Sequence, residues 1–246
     1  MERKVAVIVG VGPGLGWALV QRFAREGYAT VACSRDPDRA RSRIADVETK
    51  GPGGAGASQA GLVRWEACDA SRGEDVARVF SAVQRDLGIP GVVVFNAGTY
   101  ERGGILELTP ESFERCWRVG CLGGFNVGQA AARAMVEAGS GTILFTGATA
   151  SLRGGAGFAN LAVPKFGLRA LAQSMARELQ PKGIHVAHVI VDGQIESEAR
   201  RELAAQRGPD SLLAPEAIAE TYWQLHRQPR SAWTHEMDLR PWVEKF

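Results

Sequence analysis

The sequence predicts an α/β fold, a doubly wound, mostly parallel sheet of about seven strands with helices on both faces. Three observations carry that expectation. Short β-branched runs alternate with amphipathic helical stretches along the whole chain. Most of these runs are continuously apolar, as strands are when both faces of a sheet are covered. The first run passes directly into a glycine-rich segment that opens a helical stripe. With 246 residues, 45% of them hydrophobic, the chain suits one domain over 1–246 with a single large core.

The strand candidates, in order, are Val5–Val9, Ala29–Ser34, Leu62–Cys68, Val92–Phe95, Thr142–Thr146, Val186–Val191 and Glu236–Leu239. Between the first two, Leu15, Ala18, Leu19 and Phe23 form one apolar stripe that Gly27 is placed to end. Ser71 and Glu74 have the spacing of a capping box before Val76, Val79, Phe80 and Val83. Thr109 and Pro110 read as N-cap and first residue of the next helix. Pro164 belongs in a first helical turn, which predicts a helix starting near Asn160 or Leu161 with Asn160 as its cap. Pro215 opens a late helix running towards Arg227. Two stretches break the alternation. Lys50 to Gly61 is rich in Gly, Ala and Ser and reads as a surface loop. Residues 194–214, polar and charged, lie where this architecture carries a lid over its ligand crevice.

Composition narrows the function classes. The formal net charge is +2, with no basic stripe interleaved with aromatics, so nucleic acid is not an expected partner. The arginines from Arg35 to Arg43 read as a solvated helix face. No apolar stretch approaches the roughly 20 residues of a membrane span, and the opening apolar run is too short for a signal sequence. Cys33, Cys68, Cys116 and Cys121 lack C-x-x-C or zinc spacing and read as buried free thiols. His185 and His188 point to opposite faces of their strand, so no metal site is expected. These features together predict a cytoplasmic protein.

Gly10-Val11-Gly12-Pro13-Gly14-Leu15-Gly16 lies between the first strand and the first helix. Glycines there allow a tight turn and let backbone N–H groups approach a pyrophosphate at the positive end of a helix. Ser34-Arg35 ends the second strand, where a carboxylate would hold the ribose 2′-hydroxyl of NAD. A guanidinium can take a 2′-phosphate through charge-assisted bonds instead. NADP(H) is therefore expected over NAD, although Arg35 packed on an adenine face would serve either.

The Gly10-x-x-x-Gly14-x-Gly16 spacing resembles the short-chain dehydrogenase/reductase family, which has the Rossmann fold. Asp69, with Ala70 beside it, ends the third strand where that family holds the adenine. Asn96-Ala97-Gly98 is similar to its N-A-G motif, and Lys165 to the lysine of its Y-x-x-x-K motif, which binds the nicotinamide ribose. The resemblance covers essentially the whole chain and implies a small-molecule substrate. It also implies a homodimer or homotetramer, through the helices that follow Pro110 and Pro164, with Gly123, Gly124 and Gly128 permitting close helix approach.

Three positions depart from the pattern that the resemblance implies. The family's tyrosine acid falls on Leu161, its carbonyl-polarising serine on Ala148, and its relay asparagine on Gly120, where a kink or a bound water is expected. A positioned acid or base contributes about 10²–10⁴-fold, and one polarising donor about 10²–10³-fold. Efficient reduction of an unactivated ketone is therefore not expected. Substitute groups at the site are Tyr100, which follows the N-A-G motif, Thr149 beside Ala148, and Asp192, where the family has proline. Tyr100 could equally be a rim aromatic packed on the lid, and Asp192 a loop cap. Three functions follow: an NADP(H)-dependent oxidoreductase for an activated carbonyl or imine, a non-catalytic NADP(H)-binding sensor or assembly protein, or a repurposed non-redox enzyme.

Overall fold

The computed structural model describes residues 4–50 and 62–244. The elements run β1 (Val5–Val9), α1 (Leu15–Arg25), β2 (Ala29–Ser34), α2 (Pro37–Lys50), β3 (Val63–Ala67), α3 (Gly73–Asp86), β4 (Val92–Phe95), α4 (Pro110–Trp117), α5 (Gly123–Ala138), β5 (Gly141–Thr146), α6 (Ala159–Leu179), β6 (Ile184–Val191), α7 (Arg201–Arg207), α8 (Pro215–His226) and β7 (Glu236–Leu239). All seven strands pair in parallel, in the order β3-β2-β1-β4-β5-β6-β7. The order reverses between β1 and β4. Ligands of such sheets sit in the crevice outside the strand ends at that reversal.

Alternate residues of each central strand feed two separate cores. Val5, Val7, Val9, Val93, Phe95, Ile143, Phe145 and Val186 pack against α3, α5 and α6. Ala6, Ile8, Val92, Val94, Leu144, Ala187 and Val189 face α1 and α8. This double burial is the physical cause of the apolar runs. Phe23 on α1 meets Tyr28 and Trp223 edge-on at 5.7 Å each. Such pairs add about 0.5–1.5 kcal/mol to the area they bury.

The helix ends show which local signals survive tertiary context. Leu15, Ala18, Leu19 and Phe23 are buried as predicted, and Gly27, at φ 81°, follows the last turn of α1. Thr109 caps α4, its hydroxyl accepting from the Ser112 N–H at 3.2 Å. The capping box at Ser71 does not form. Ser71 donates through both N–H and hydroxyl to Asp69, at 3.0 and 2.7 Å, and Glu74 pairs with Arg72 instead. A carboxylate two residues back is the stronger competitor for those donors. Asn160 is not a cap either. The helix begins at Ala159, and Asn160 is fully buried, its amide donating to Ser112 Oγ at 3.2 Å across the α4–α6 contact. Pro164 consequently lies in the second turn, not the first.

The long helix expected after Pro110 is interrupted by a π-helical turn, Arg118–Leu122, between α4 and α5. Gly120, where a kink or a bound water was expected, sits on this turn against Pro164. The glycines assigned to a subunit contact have a different role. Gly123 packs on Ala70 and Phe95, Gly124 on Leu168 and Phe95, and Gly128 on Met175 and Phe145, all within this chain. β6 extends two residues earlier than predicted and β3 is trimmed at both ends. Of the expected Lys50–Gly61 loop, Lys50 closes α2 and 51–61 lie outside the described residues. The 194–214 stretch contains a 3-10 turn and α7, and its ends are tied by an Ile195–Leu213 bridge.

Candidate active site and cofactor crevice

The turn after β1 is built by close backbone packing. The N–H groups of Gly10 and Val11 both donate to the Cys33 carbonyl at 3.0 Å. Gly10 takes φ 99°, and a Cβ there would lie 2.6 Å from Ala97 Cα. Only glycine meets both conditions. Asn96 locks the turn from β4, its amide donating to the Gly10 carbonyl at 3.0 Å. Gly16 presses α1 onto the same turn. Thus Gly10, Gly16, Asn96 and Ala97 are brought together at the reversal point, although Asn96 faces the turn with its amide.

Beyond the turn the crevice is open. Side chains added at Gly12, Gly14 or Gly98 would meet nothing within 4 Å. Helix α1 starts at Leu15, with Gly14 as a cap lacking a side-chain bond and no acid in the first turn. Its positive end therefore faces the opening uncompensated. These residues fit a pyrophosphate. At the next strand end, Ser34 is buried and accepts from the Asp36 N–H at 3.1 Å, while the Arg35 side chain is exposed. Asp69 closes β3 with one carboxylate oxygen on Ser71, and Ala70 is buried against α5, its carbonyl accepting from Asn126 at 2.9 Å.

On the far side of the crevice, Lys165 is buried and its ammonium donates to the Thr146 carbonyl at 2.6 Å. Burial pulls its pKa from 10.5 down to about 8. Leu161 stands one turn earlier on α6, partly exposed. Ala148 leads the turn after β5, and its N–H donates to the buried Ser151 hydroxyl at 3.1 Å. Tyr100 is exposed and stacks on Phe158, the residue before α6, with ring centres 5.4 Å apart and planes at 7°. Thr149 donates its hydroxyl proton to Asp192 Oδ1. The other oxygen of this buried carboxylate lies 3.2 Å from the Arg240 guanidinium.

Several residues here carry no sequence signal. Arg240 follows the last strand with no motif around it. His188 lies buried below the Ala148 turn, Nε2 3.4 Å from Ser151 Oγ and Nδ1 3.3 Å from Glu236 Oε2, the latter off the line of a hydrogen bond. Glu236 is held by Arg169 at 2.6 and 2.7 Å, which lowers its pKa. Burial takes His188 down to about 4. His185 faces elsewhere, stacked on Trp233 at 5.0 Å. Among the described residues no cluster of three or more His, Cys, Asp or Glu side chains could hold a metal. The cysteines are free, with Cys33, Cys68 and Cys116 buried, and burial pushes Cys68 up to about 12. No helix among the described residues is long and apolar enough to cross a membrane.

Comparison with known proteins identifies the family and agrees with the fold. The short chain dehydrogenase family matches residues 4–208. The 3-oxoacyl-(acyl-carrier-protein) reductase MabA of Mycobacterium tuberculosis is 30% identical over 200 residues, covering 81% of this chain and 72% of that protein. A crystal structure of a short-chain dehydrogenase from Rhodopseudomonas palustris is 40% identical with a TM-score of 0.77, covering 97% of this chain and 98% of the other. A metagenomic short-chain oxidoreductase, solved in complex with NADP, is 25% identical with a TM-score of 0.79 and covers 98% of both. The chain belongs to the short-chain dehydrogenase family, oxidoreductases that bind a nicotinamide dinucleotide.

Proposed function

We propose that this protein is an NADP(H)-dependent oxidoreductase that acts on a small activated carbonyl or imine without the tyrosine acid usual in its family. The observations that support the reading are the tightly packed glycine turn after β1 and the buried Lys165 bonded to the end of β5, with Leu161 and Ala148 at the positions to which the family pattern assigns a proton donor and a carbonyl-polarising hydroxyl. The nicotinamide supplies the hydride when bound. The chain's own residues hold it: the Gly10–Gly16 turn and the start of α1 take the pyrophosphate, Asp69 and Ala70 the adenine, Asn96–Gly98 and Lys165 the nicotinamide half. Arg35, exposed beside Ser34, takes the 2′-phosphate of NADP(H). Residues 194–214 close over the substrate, and the apolar Leu161 surface excludes water from the reacting carbon.

Two subunits meet across α4, α5 and α6. Trp117, Phe125, Val163 and Phe166 are exposed there, an apolar surface that a second copy would cover.

The test is calorimetry with NADPH and NADH, followed by NADPH consumption across matched panels of ketones, enones and imines. NADPH should bind at least about tenfold tighter than NADH, and Arg35→Ala should remove most of that margin. Turnover of activated substrates is expected, with unactivated ketones slow. Tight NADPH binding with no turnover anywhere would favour the second reading, a cofactor-dependent sensor or assembly protein, which the same absent hydroxyls support. A change of oligomeric state on adding NADPH would then be its signature.

A further inference from the structure

The Thr149–Asp192–Arg240 arrangement fixes which partner the crevice can offer a substrate. Thr149 stands next to Ala148 at the end of β5, and Asp192 follows the end of β6. A carboxylate only accepts, so the Thr149 hydroxyl is the donor in its contact with Asp192 Oδ1. Arg240 occupies Oδ2 at 3.2 Å, and the Asp192 N–H donates to the Leu239 carbonyl at 2.7 Å, so the carboxylate is held at both ends. Asp192 is buried while Thr149 is partly exposed. With its proton committed to Asp192, the partly exposed hydroxyl keeps only lone pairs to offer a ligand.

We propose that Thr149 presents a hydrogen-bond acceptor to the reacting centre, so that the site selects a protonated imine over a neutral ketone. This rests on the oxidoreductase reading above and narrows its substrate class. The chemistry balances without an acid from the protein. Hydride from NADPH adds to the iminium carbon, and the C=N π pair moves onto nitrogen, which already carries its proton. The products are the neutral amine and NADP⁺. During the step the N–H⁺ donates to Thr149 Oγ1. A ketone offers only an acceptor oxygen to that acceptor, and its reduction leaves an alkoxide that needs a proton, while the Thr149 proton is held in its hydrogen bond to Asp192. Asp192 and Arg240 are positioning residues, acting through the hydroxyl.

The experiment compares kcat/KM for a cyclic imine panel, assayed below the iminium pKa, with that for matched ketones, using the full chain and NADPH. In the wild type imines should exceed ketones by about tenfold or more, the worth of one hydrogen bond to a charged group. Thr149→Val keeps the shape and removes the acceptor. It should lower imine turnover about 10–100-fold while leaving the NADPH Kd unchanged, and Thr149→Ser should restore it. Asp192→Asn should invert the preference. Arg240 would hold the amide oxygen, the amide nitrogen would donate to Thr149, and the freed hydroxyl proton would point at the substrate. Imine turnover then falls and ketone turnover rises. Ketones matching imines in the wild type, or an unchanged ratio in both Thr149→Val and Asp192→Asn, overturns this assignment alone. No affinity for NADPH, or no turnover on either panel, overturns the oxidoreductase reading with it. Melting curves exclude variants that fail to fold, and Thr149→Val, nearly isosteric, is the one least exposed to that failure.

Discussion

At the scale of single residues, two positions carry the strongest physical constraint. A methyl group at Gly10 would lie 2.6 Å from Ala97 Cα on a backbone already at φ 99°. Gly10→Ala is therefore expected to cost about 2–4 kcal/mol in urea unfolding and to weaken NADPH binding with it. A wild-type midpoint would mean the turn can move. Lys165 bears a different kind of strain, a buried charge whose pKa falls from 10.5 to about 8. Below pH 8 both folded and unfolded chains hold the proton, so the desolvation cost is constant. Between pH 8 and 10.5 the unfolded chain binds more protons, and stability rises with pH; above that it levels off. Lys165→Met should stabilise the cofactor-free protein by about 1–3 kcal/mol at pH 7 and abolish the rise between pH 8 and 10.5. Unfolding curves at pH 7, 9 and 10.5 read both effects. The same variant should lose NADPH affinity, separating a binding role from a stabilising one.

At the scale of elements, the π turn between α4 and α5 and the proline in α6 are one feature. Pro164 has no N–H for the Asn160 carbonyl, and its ring needs room that Gly120 leaves. A Cβ at 120 would come within 2.9 Å of Pro164 Cβ. Gly120→Ala should therefore destabilise by about 1–3 kcal/mol, beyond any gain in helix propensity, as measured by thermal or urea unfolding. The first turn of α6 and the turn after β5 also decide chemistry. Installing both missing hydroxyls, Ala148→Ser with Leu161→Tyr, should raise ketone reduction about 10²-fold or more over the wild type. Initial rates on an unactivated ketone give the answer, and no gain would show that these positions do not face the reacting carbon.

At the scale of the whole molecule, the fold withdraws histidines from water, His185 and His188 on β6 and His226 on α8, and favours their neutral form. His188 and His226 are taken from 6.5 down to about 4 by burial, and His185 is lowered by the same cause. His226 bridges Tyr28 and Thr142 with bonds of 2.7 and 2.9 Å, tying α8 to the residue before β2 and to β5. Since the folded values lie below the unfolded one, the unfolded state binds more protons between pH 4 and 6.5. Stability should thus be full above about pH 6.5 and fall as the pH drops towards 4, by about 2 kcal/mol or more in total. Urea midpoints at pH 7, 5.5 and 4.5 test this, and a His226→Gln variant should shallow the slope. A flat profile over that range would mean these rings titrate with their ordinary affinity.

The order of the strands, a mostly parallel sheet and the glycine turn after β1 were legible in the chain, because each rests on short-range pattern. Strand runs were continuously apolar, the Gly10–Gly16 string followed a strand, and Thr109-Pro110 capped a helix where it should. Capping at Ser71 was misread because Asp69, two residues back, takes its donors locally, and at Asn160 because Ser112, reached through the fold, takes its amide. The glycines of α5 looked like a subunit contact and instead admit Leu168 and Phe145 of the same chain. Thr149 and Asp192 could be named from sequence as candidate substitute groups at the site, yet the direction of the hydrogen bond between them, and Arg240 behind it, exist only once the ends of β5, β6 and β7 lie side by side. Periodicity is written along one segment and survives folding. Which partner a polar group finds is settled by which segments the sheet brings together, 43 residues apart for Thr149 and its carboxylate.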